Sequence, residues 1–244
     1  MWLILHSEGD ISARWAYEGL HRFTHTPIEL LTAEDIEGAT EFEHKLGGIG
    51  TTFKIQLADG RSLSNETVSA VLNRLLGPSP YWLTQSETSD ARYVYDELYA
   101  IYVSWLSGFA GKVINRPSDC SLCGPALHSA KWAHLAREVG FKIRHYCQST
   151  ESRLRSSETT YSDETYRVLV LEGEVFGTPV PNQIQSACRA LARSTGADLL
   201  GVELSQLPTG DLAFTGATST PDLPNGGDEF LEALAHSLSS PVAT

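Results

Sequence analysis

Apolar and polar residues alternate along the first third of the chain in a pattern typical of short strands joined by a helix. Residues 2–5 are apolar, so residues 2–6 are predicted to form a short buried strand, and Asp10 or Ser12 can cap a helix that follows. Residues 28–31, apolar except for Glu29, are predicted as a second strand. A strand, a helix and another strand in this order predict a small parallel sheet with a helix packed across it.

A hairpin and a long helix come next. Residues 51–57 alternate between polar and apolar side chains, and the Asp59-Gly60 turn separates them from a second strand at 61–63. Between about residues 90 and 108, apolar side chains recur at spacings of three and four. That spacing predicts one long amphipathic helix.

The second half of the chain again mixes strands and helices. A strand at 112–115 precedes a helix that Gly124-Pro125 should open and Gly140 should end, and a strand is expected at 141–145. Residues 148–162 are polar and contain almost no apolar side chains, so a stretch of about 146–163 is interpreted as a loop or the scar of a deletion. The remaining predicted elements are a hairpin at 167–171 and 175–177, a helix at 183–195, paired strands at 199–204 and 211–215, and a final helix at 228–238.

Charge and composition exclude several classes of function. The chain has 30 acidic and 18 basic residues, a net charge of −12, so nucleic acids and anionic membrane surfaces are not expected partners. The first residues lack a basic region and read as a strand rather than a signal peptide, and no stretch approaches the roughly 20 apolar residues of a membrane span. Four cysteines in 244 residues do not make a disulfide framework. We therefore expect a soluble protein of the reducing cytoplasm.

Several segments follow one another in an order that is informative as a set. They are Ala58-Asp59-Gly60-Arg61-Ser62-Leu63 with Val71-Leu72-Asn73-Arg74, Tyr95-Asp96-Glu97-Leu98, Val113-Ile114-Asn115-Arg116-Pro117, the Lys131 helix up to Gly140-Phe141, residues 166–177, Leu200-Gly201-Val202-Glu203-Leu204, and residues 214–221. Taken in this order, the segments resemble the ATP-grasp superfamily and, within it, the peptide-modifying ligases of the microviridin type. No single motif is decisive for the resemblance; the order of the segments is.

The resemblance implies an α/β fold in two parts. Residues 1–118 would form a pre-ATP-grasp-like domain built on a parallel sheet with helices, and residues 119–244 a reduced ATP-grasp-like α+β domain. In the family the helix lysine, here Lys131, lies near the nucleotide. Arg167 and Glu203 match strand positions that line the active site, and Arg74 matches an arginine-bearing strand. If the resemblance holds, these four residues mark a residual cleft; the alternative is a surface lysine and an internal Arg-Glu pair.

The departures from the family pattern are as informative as the matches. Family members place a lysine-bearing small sheet and a Gly-rich flap between the helix and the arginine strand, whereas here only residues 144–164 occupy that interval. Counting back from Pro221, Gly216 and Thr218 stand where the family has Glu and Asn, and only Glu203 keeps an acid. Magnesium prefers a nearly octahedral set of oxygens that includes one or two carboxylates. We therefore expect no bound cofactor, with ATP and Mg as the alternative.

Two function classes follow from these departures. The first is a pseudoenzyme: a non-catalytic ATP-grasp-like protein that binds a peptide or docks on an intact ATP-grasp ligase in a peptide or natural-product modification pathway. The alternative is an active carboxylate-amine ligase, or another enzyme that uses the residual cleft, completed by a second subunit. An exposed edge of the parallel sheet or the long helix would also allow a homodimer.

The Cys120-Ser121-Leu122-Cys123 motif offers a third, weaker alternative. Two cysteines at this spacing before a helix, with His128 and His134 following, are compatible with a metal site or a redox pair. The expected longer loop before the histidine pair and a second Cys-x-x-Cys are both missing. An ordinary loop is therefore the preferred interpretation, with no metal predicted.

Overall fold

The computed structural model describes residues 1–47, 50–79, 88–143 and 165–240. The chain divides into two compact units: Met1–Pro125 together with Asp228–Thr244, and Ala126–Gly227. The domain boundary expected between residues 118 and 119 stays a prediction. The predicted loop or deletion scar at about 146–163 lies outside the described residues, as do positions 144 and 145 of a predicted strand.

The first unit is built around a four-stranded parallel sheet. The elements up to residue 125 are β1 Trp2–His6, α1 Ile11–Leu20, β2 Ile28–Thr32, α2 Ala33–Glu37, β3 Glu41–Gly47, β4 Gly50–Gln56, β5 Ser62–Ser64, β6 Ala70–Arg74, α3 Thr88–Gly108 and β7 Lys112–Ile114. The strands of the parallel sheet lie in the order β2-β1-β6-β7. Strand β1 is buried along nearly its whole length, which explains the apolar run that predicted it.

A second, antiparallel sheet joins β3, β4 and β5. The predicted hairpin is confirmed as β4 and β5, and the long helix as α3. Trp105 of α3 is buried, and its ring centroid lies 5.2 Å from that of Phe53 and 6.0 Å from that of Phe42. The long helix and the antiparallel sheet therefore share one aromatic core.

The second unit contains a five-stranded mixed sheet. Its elements are α4 Ser129–Glu138, β8 Lys142–Ile143, β9 Thr165–Leu171, β10 Glu174–Gly177, α5 Asn182–Thr195, β11 Leu199–Gln206, β12 Leu212–Thr218 and a 3-10 turn Leu223–Gly226. The strands lie in the order β10-β9-β11-β12-β8, and all neighbouring strands are antiparallel except β8, which runs parallel to β12. The predicted hairpin and strand pair are confirmed. The last helix, α6 Gly227–Ser239, follows in the sequence, and from Asp228 on it belongs to the first unit.

The helix expected to open at Gly124-Pro125 begins later, at Ser129. The His128 side chain accepts a hydrogen bond from the Ala130 N–H at 3.2 Å and so occupies the N-cap position. Gly140 ends the segment with φ of 97°, as predicted. The correction places a stretch of non-helical chain between the Cys-x-x-Cys motif and the helix.

Helices α4 and α5 cover one face of the mixed sheet. Alternate strand residues such as Val168, Val170 and Val202 share a buried cluster with Trp132 of α4 and Leu191 of α5. Neighbouring residues along a strand point to opposite faces. The residues adjacent to these valines along their strands, among them Arg167 and Glu203, therefore project from the other face. Among the described helices, none is both long enough and apolar enough to cross a lipid bilayer.

Candidate functional site

Arg167 and Glu203 are brought together by the register of two central strands. They are direct partners across β9 and β11, and the Arg167 Nε atom lies 3.9 Å from Glu203 Oε1. Both side chains are 51% exposed. The pair therefore lies at the sheet surface and is not an internal ion pair.

Glu203 has a glycine on its other side. In β12 the register partner of Glu203 is Gly216, while Leu204 pairs with Phe214, so the register shifts by one residue at Thr215. A Cβ added at Gly216 would lie 4.0 Å from Glu203 Oε2. Two residues further along the strands, the pair Gly201 and Thr218 also lacks a carboxylate. In the described strands β9, β11 and β12, Glu203 is the only acidic residue.

This donor set does not fit a magnesium ion beside a nucleotide. Mg²⁺ needs hard oxygen ligands in near-octahedral geometry and is usually held by one or two carboxylates together with substrate phosphates. The one carboxylate here faces a guanidinium, and the neighbouring position has no side chain.

Lys131 lies on α4 and is exposed. Its neighbour Trp132 packs on the helix-covered face of the sheet, whereas Arg167 and Glu203 project from the opposite face. Within the part of the chain that the structure describes, the Lys131 ammonium makes no ion pair or hydrogen bond. The structure thus pairs Arg167 with Glu203, and a cleft that also includes Lys131 stays a prediction.

Arg74 has a structural partner inside the first unit. It is 4% exposed, and its guanidinium donates to both carboxylate oxygens of Asp10, at 2.7 and 3.1 Å. Asp10 also accepts the Ala13 N–H as the N-cap of α1. A role for Arg74 in ligand binding stays a prediction.

The two cysteines of the Cys-x-x-Cys motif occupy different environments. Cys120 is exposed and Cys123 is buried, and neither forms a disulfide. The Cys123 sulfur lies 3.4 Å from the Ser121 hydroxyl oxygen. Because α4 begins at Ser129, the Cys-x-x-Cys motif does not stand directly before the helix, as the sequence had suggested. Across the described ranges, no three His, Cys, Asp or Glu residues are grouped so that they could hold a metal.

A cavity in the first unit was not predicted from the sequence. It has a volume of about 600 Å³ and lies within the first unit, where residues that follow β1, β2 and β6 meet one face of α3. The sequence did contain a signal for this cavity, because polar residues directly follow the predicted parallel strands. Such residues lie at the carboxyl edge of a parallel sheet, where ligands commonly bind. Its polar lining includes Ser7, Glu8, Thr32, Glu34, Ser79 and Tyr95.

Comparison of the sequence with protein-family models and with curated proteins gave no match. Comparison of the structure with solved structures did. The macrocyclase MdnB from Microcystis aeruginosa MRC superposes with a TM-score of 0.73 at 14% identity, covering 98% of each chain. The macrocyclase MdnC from the same organism, bound with precursor peptide MdnA, gives a TM-score of 0.74 at 12% identity and covers 98% of this chain and 99% of its own.

A third solved structure is the ATP-grasp ligase PsnB, complexed with a phosphomimetic variant of its minimal precursor, Mg and ADP. It superposes with a TM-score of 0.73 at 13% identity over 97% of both chains. The expected resemblance is therefore confirmed at the level of the fold: this chain has the α/β fold of the ATP-grasp ligases.

Proposed function

We propose that the chain is a degenerate, non-catalytic ATP-grasp-like protein that binds a peptide or a partner ligase in a peptide or natural-product modification pathway. The observation that carries the proposal is the position of Glu203 between Arg167 and Gly216. A carboxylate that faces a guanidinium, with no second acid beside it, is a poor ligand for a divalent cation.

The loss of a metal site would remove the main source of catalysis in this fold. Phosphoryl transfer depends on positioning and on the electrostatic stabilisation that metal ions and cationic groups give to the transferring group. An ion pair also lowers the tendency of Glu203 to bind a cation, because any cation must displace the guanidinium. Both effects favour a protein that keeps the fold and binds without turnover.

The peptide partner is supported by the proteins that share the fold. MdnC was solved with its precursor peptide MdnA, and PsnB with a minimal precursor. The net charge of −12 would also favour a partner with basic residues, since complementary charges speed association and select partners. The same charge argues against nucleic acid.

Calorimetry with ATP in the presence and absence of Mg²⁺ tests the non-catalytic assignment. We expect no Mg²⁺-dependent binding heat and no ADP release when a carboxylate-bearing peptide and an amine are added. A pull-down with a peptide or an intact ligase should at the same time yield a stable complex. Tight Mg²⁺-dependent ATP binding followed by ADP release would overturn the proposal.

An active carboxylate-amine ligase completed by a second subunit is the other candidate. Retention of Glu203 at a strand position that matches the family favours it, and the PsnB structure shows that the fold can hold Mg and ADP. Under this alternative, ADP release would appear only on mixing with the partner and would be lost in Glu203→Gln. Glu174→Gln, at the start of β10, is the control with the same change of charge.

Two further points of the proposal concern location and assembly. We place the protein in the cytoplasm, in line with its acidic composition and few cysteines. Analytical ultracentrifugation would decide whether it forms a homodimer or acts as a monomer that recruits another chain.

A further inference from the structure

The cavity of the first unit lies at a topological switch point of the parallel sheet. From β1 the chain passes to β2 on one side, and β6 pairs with the other side of β1. In open parallel sheets, ligands bind outside the carboxyl ends of the strands where the direction of winding changes. The volume of about 600 Å³ is in the range of small-molecule sites, roughly 300–1,000 Å³.

Hydrogen bonds and a close approach hold the walls of this cavity. The Ser7 hydroxyl oxygen accepts the Leu76 N–H at 3.0 Å and so ties the segment after β1 to the segment after β6. The Ser79 N–H donates to Glu37 Oε1 at 2.9 Å. A Cβ at Gly77 would lie 2.6 Å from the Tyr95 hydroxyl oxygen, so the phenol packs directly against glycine backbone.

The charge of the lining decides what the cavity can bind. Glu8 and Glu34 supply two carboxylates, and the described lining residues include no Lys, Arg or His. Neither carboxylate forms an ion pair with a described residue. The hydroxyls of Ser7 and Tyr95 add hydrogen-bonding groups, while Ala33, Leu76 and Pro78 provide apolar surface.

We propose that this cavity binds an organic cation, an alkylammonium or guanidinium group presented by the Lys or Arg side chain of a peptide or by a free amino terminus. Glu8 and Glu34 would accept charge-assisted hydrogen bonds from the cation, and the apolar residues would contact its alkyl stem. The peptide form of this inference rests on the proposed function, whereas binding of the cationic group itself does not.

NMR titration of the full chain with four probes tests the inference. The first three are an N-acetylated Gly-Gly-Lys-Gly-Gly amide, its Arg counterpart, and pentaglycine amide with a free amino terminus, which together distinguish the possible sources of the cation. The fourth is n-butylammonium, which reports on the site without a peptide. The Tyr95 ring and the Gly77 amide are the reporters.

We expect saturable chemical-shift changes at both reporters. In the double variant Glu8→Gln/Glu34→Gln, the Kd of the probe that binds most tightly should rise by roughly tenfold or more, because hydrogen bonds to charged groups are stronger than those to neutral groups. The single variant Glu66→Gln, an exposed acid elsewhere in the first unit, is the control and should leave the Kd unchanged. Retained dispersion of the amide spectrum checks that each variant is folded.

Three outcomes would overturn the inference: no saturable shift with any probe, equal binding of a control form of the lysine peptide whose side-chain amine is also acetylated and therefore uncharged, or equal loss of affinity in Glu66→Gln. Binding of n-butylammonium without binding of any peptide would keep the cation site and instead count against the proposed peptide partner.

Discussion

The Arg74 guanidinium and the Asp10 carboxylate form a bidentate ion pair between the end of β6 and the cap of α1. The Nε atom donates to Oδ2 at 2.7 Å and an Nη atom to Oδ1 at 3.1 Å, although the two residues are 64 positions apart. Their side chains are 5% and 15% exposed. A buried charge of this kind is costly unless its partner is present.

Asp10→Asn should therefore destabilise the chain strongly while keeping the helix cap. Asparagine is as good an N-cap as aspartate, so the change isolates the ion pair from the capping bond. Removing one partner of a buried ion pair costs about 3 kcal/mol or more, because the remaining charge stays buried and loses the opposite charge that offset its desolvation. Urea unfolding followed by circular dichroism measures the loss.

The control for this variant is Asp228→Asn. Asp228 forms an equally bidentate pair with Arg22, but the two side chains are 66% and 53% exposed. Solvent screens such a pair, so its loss should be much smaller. Equal effects of the two variants would show that burial does not decide the strength of the Arg74 pair.

The strands and helices with strong periodicity were predictable from sequence, whereas the details that shape the sites were not. The consecutive apolar residues of β1, and the apolar residues of α3 at spacings of three and four, are sufficient to predict these two elements. Strand β3 was missed because Glu41, Glu43 and Lys45 give it a charged surface. The one-residue shift at Thr215 that sets Gly216 beside Glu203 leaves no trace in the sequence pattern. The cavity is lined by four separate segments of the chain, and only the fold brings them together.

Thiol reactivity should separate the described cysteines. Burial in the cluster beneath α5 raises the pKa of the Cys188 thiol to about 12, so its thiolate is scarce at neutral pH. Cys120 is exposed. In the native protein iodoacetamide should alkylate Cys120 well before Cys188 or the buried Cys123, as measured by peptide mass spectrometry over time. The same reaction in denaturant should abolish the difference, and rapid native labelling of Cys188 would contradict this assignment.

Asp211 should titrate below the usual range of an aspartate. Hydrogen bonds from the Lys142 ammonium and then from the Thr209 hydroxyl lower the pKa of Asp211. A carboxyl whose folded-state pKa is lowered stabilises the fold at pH above its unfolded pKa, and the contribution is lost as pH falls through the folded value. Lys142→Gln should move the Asp211 pKa up toward its ordinary value in an NMR titration. Lys45→Gln, which removes the same charge beside Glu43, should leave that titration unchanged.

Gly177→Ala should be more harmful than Gly173→Ala in the same hairpin. Both glycines have positive φ, 95° and 91°, so both substitutions carry comparable backbone strain, of order 1–3 kcal/mol. Only at Gly177 would the new Cβ meet backbone, lying 2.5 Å from the Arg167 carbonyl oxygen, whereas Gly173 has nothing within 4 Å. Thermal unfolding should show a lower Tm for Gly177→Ala. Equal Tm values would mean that the strand end carrying Arg167 can shift without cost.

Gly216→Glu should create a divalent-cation site beside Glu203 on strands β11 and β12. The position has a φ outside the left-handed region, and a Cβ there would have open space, at 4.0 Å from Glu203 Oε2. The new carboxylate would stand beside Glu203 on the same face of the sheet, since the two positions are register partners. Two adjacent carboxylates outweigh the single Arg167 guanidinium and supply the hard oxygens that divalent cations prefer.

Water proton relaxation measures the binding of Mn²⁺ to this variant. The affinity for Mn²⁺ should increase by at least about tenfold, equivalent to about 1.4 kcal/mol. Gly216→Gln adds a side chain of the same size without charge and should bind Mn²⁺ no better than the parent. If the parent chain binds Mn²⁺ as tightly as Gly216→Glu does, the lack of a second carboxylate beside Glu203 cannot explain a lack of catalysis. The non-catalytic assignment would then lose its main support.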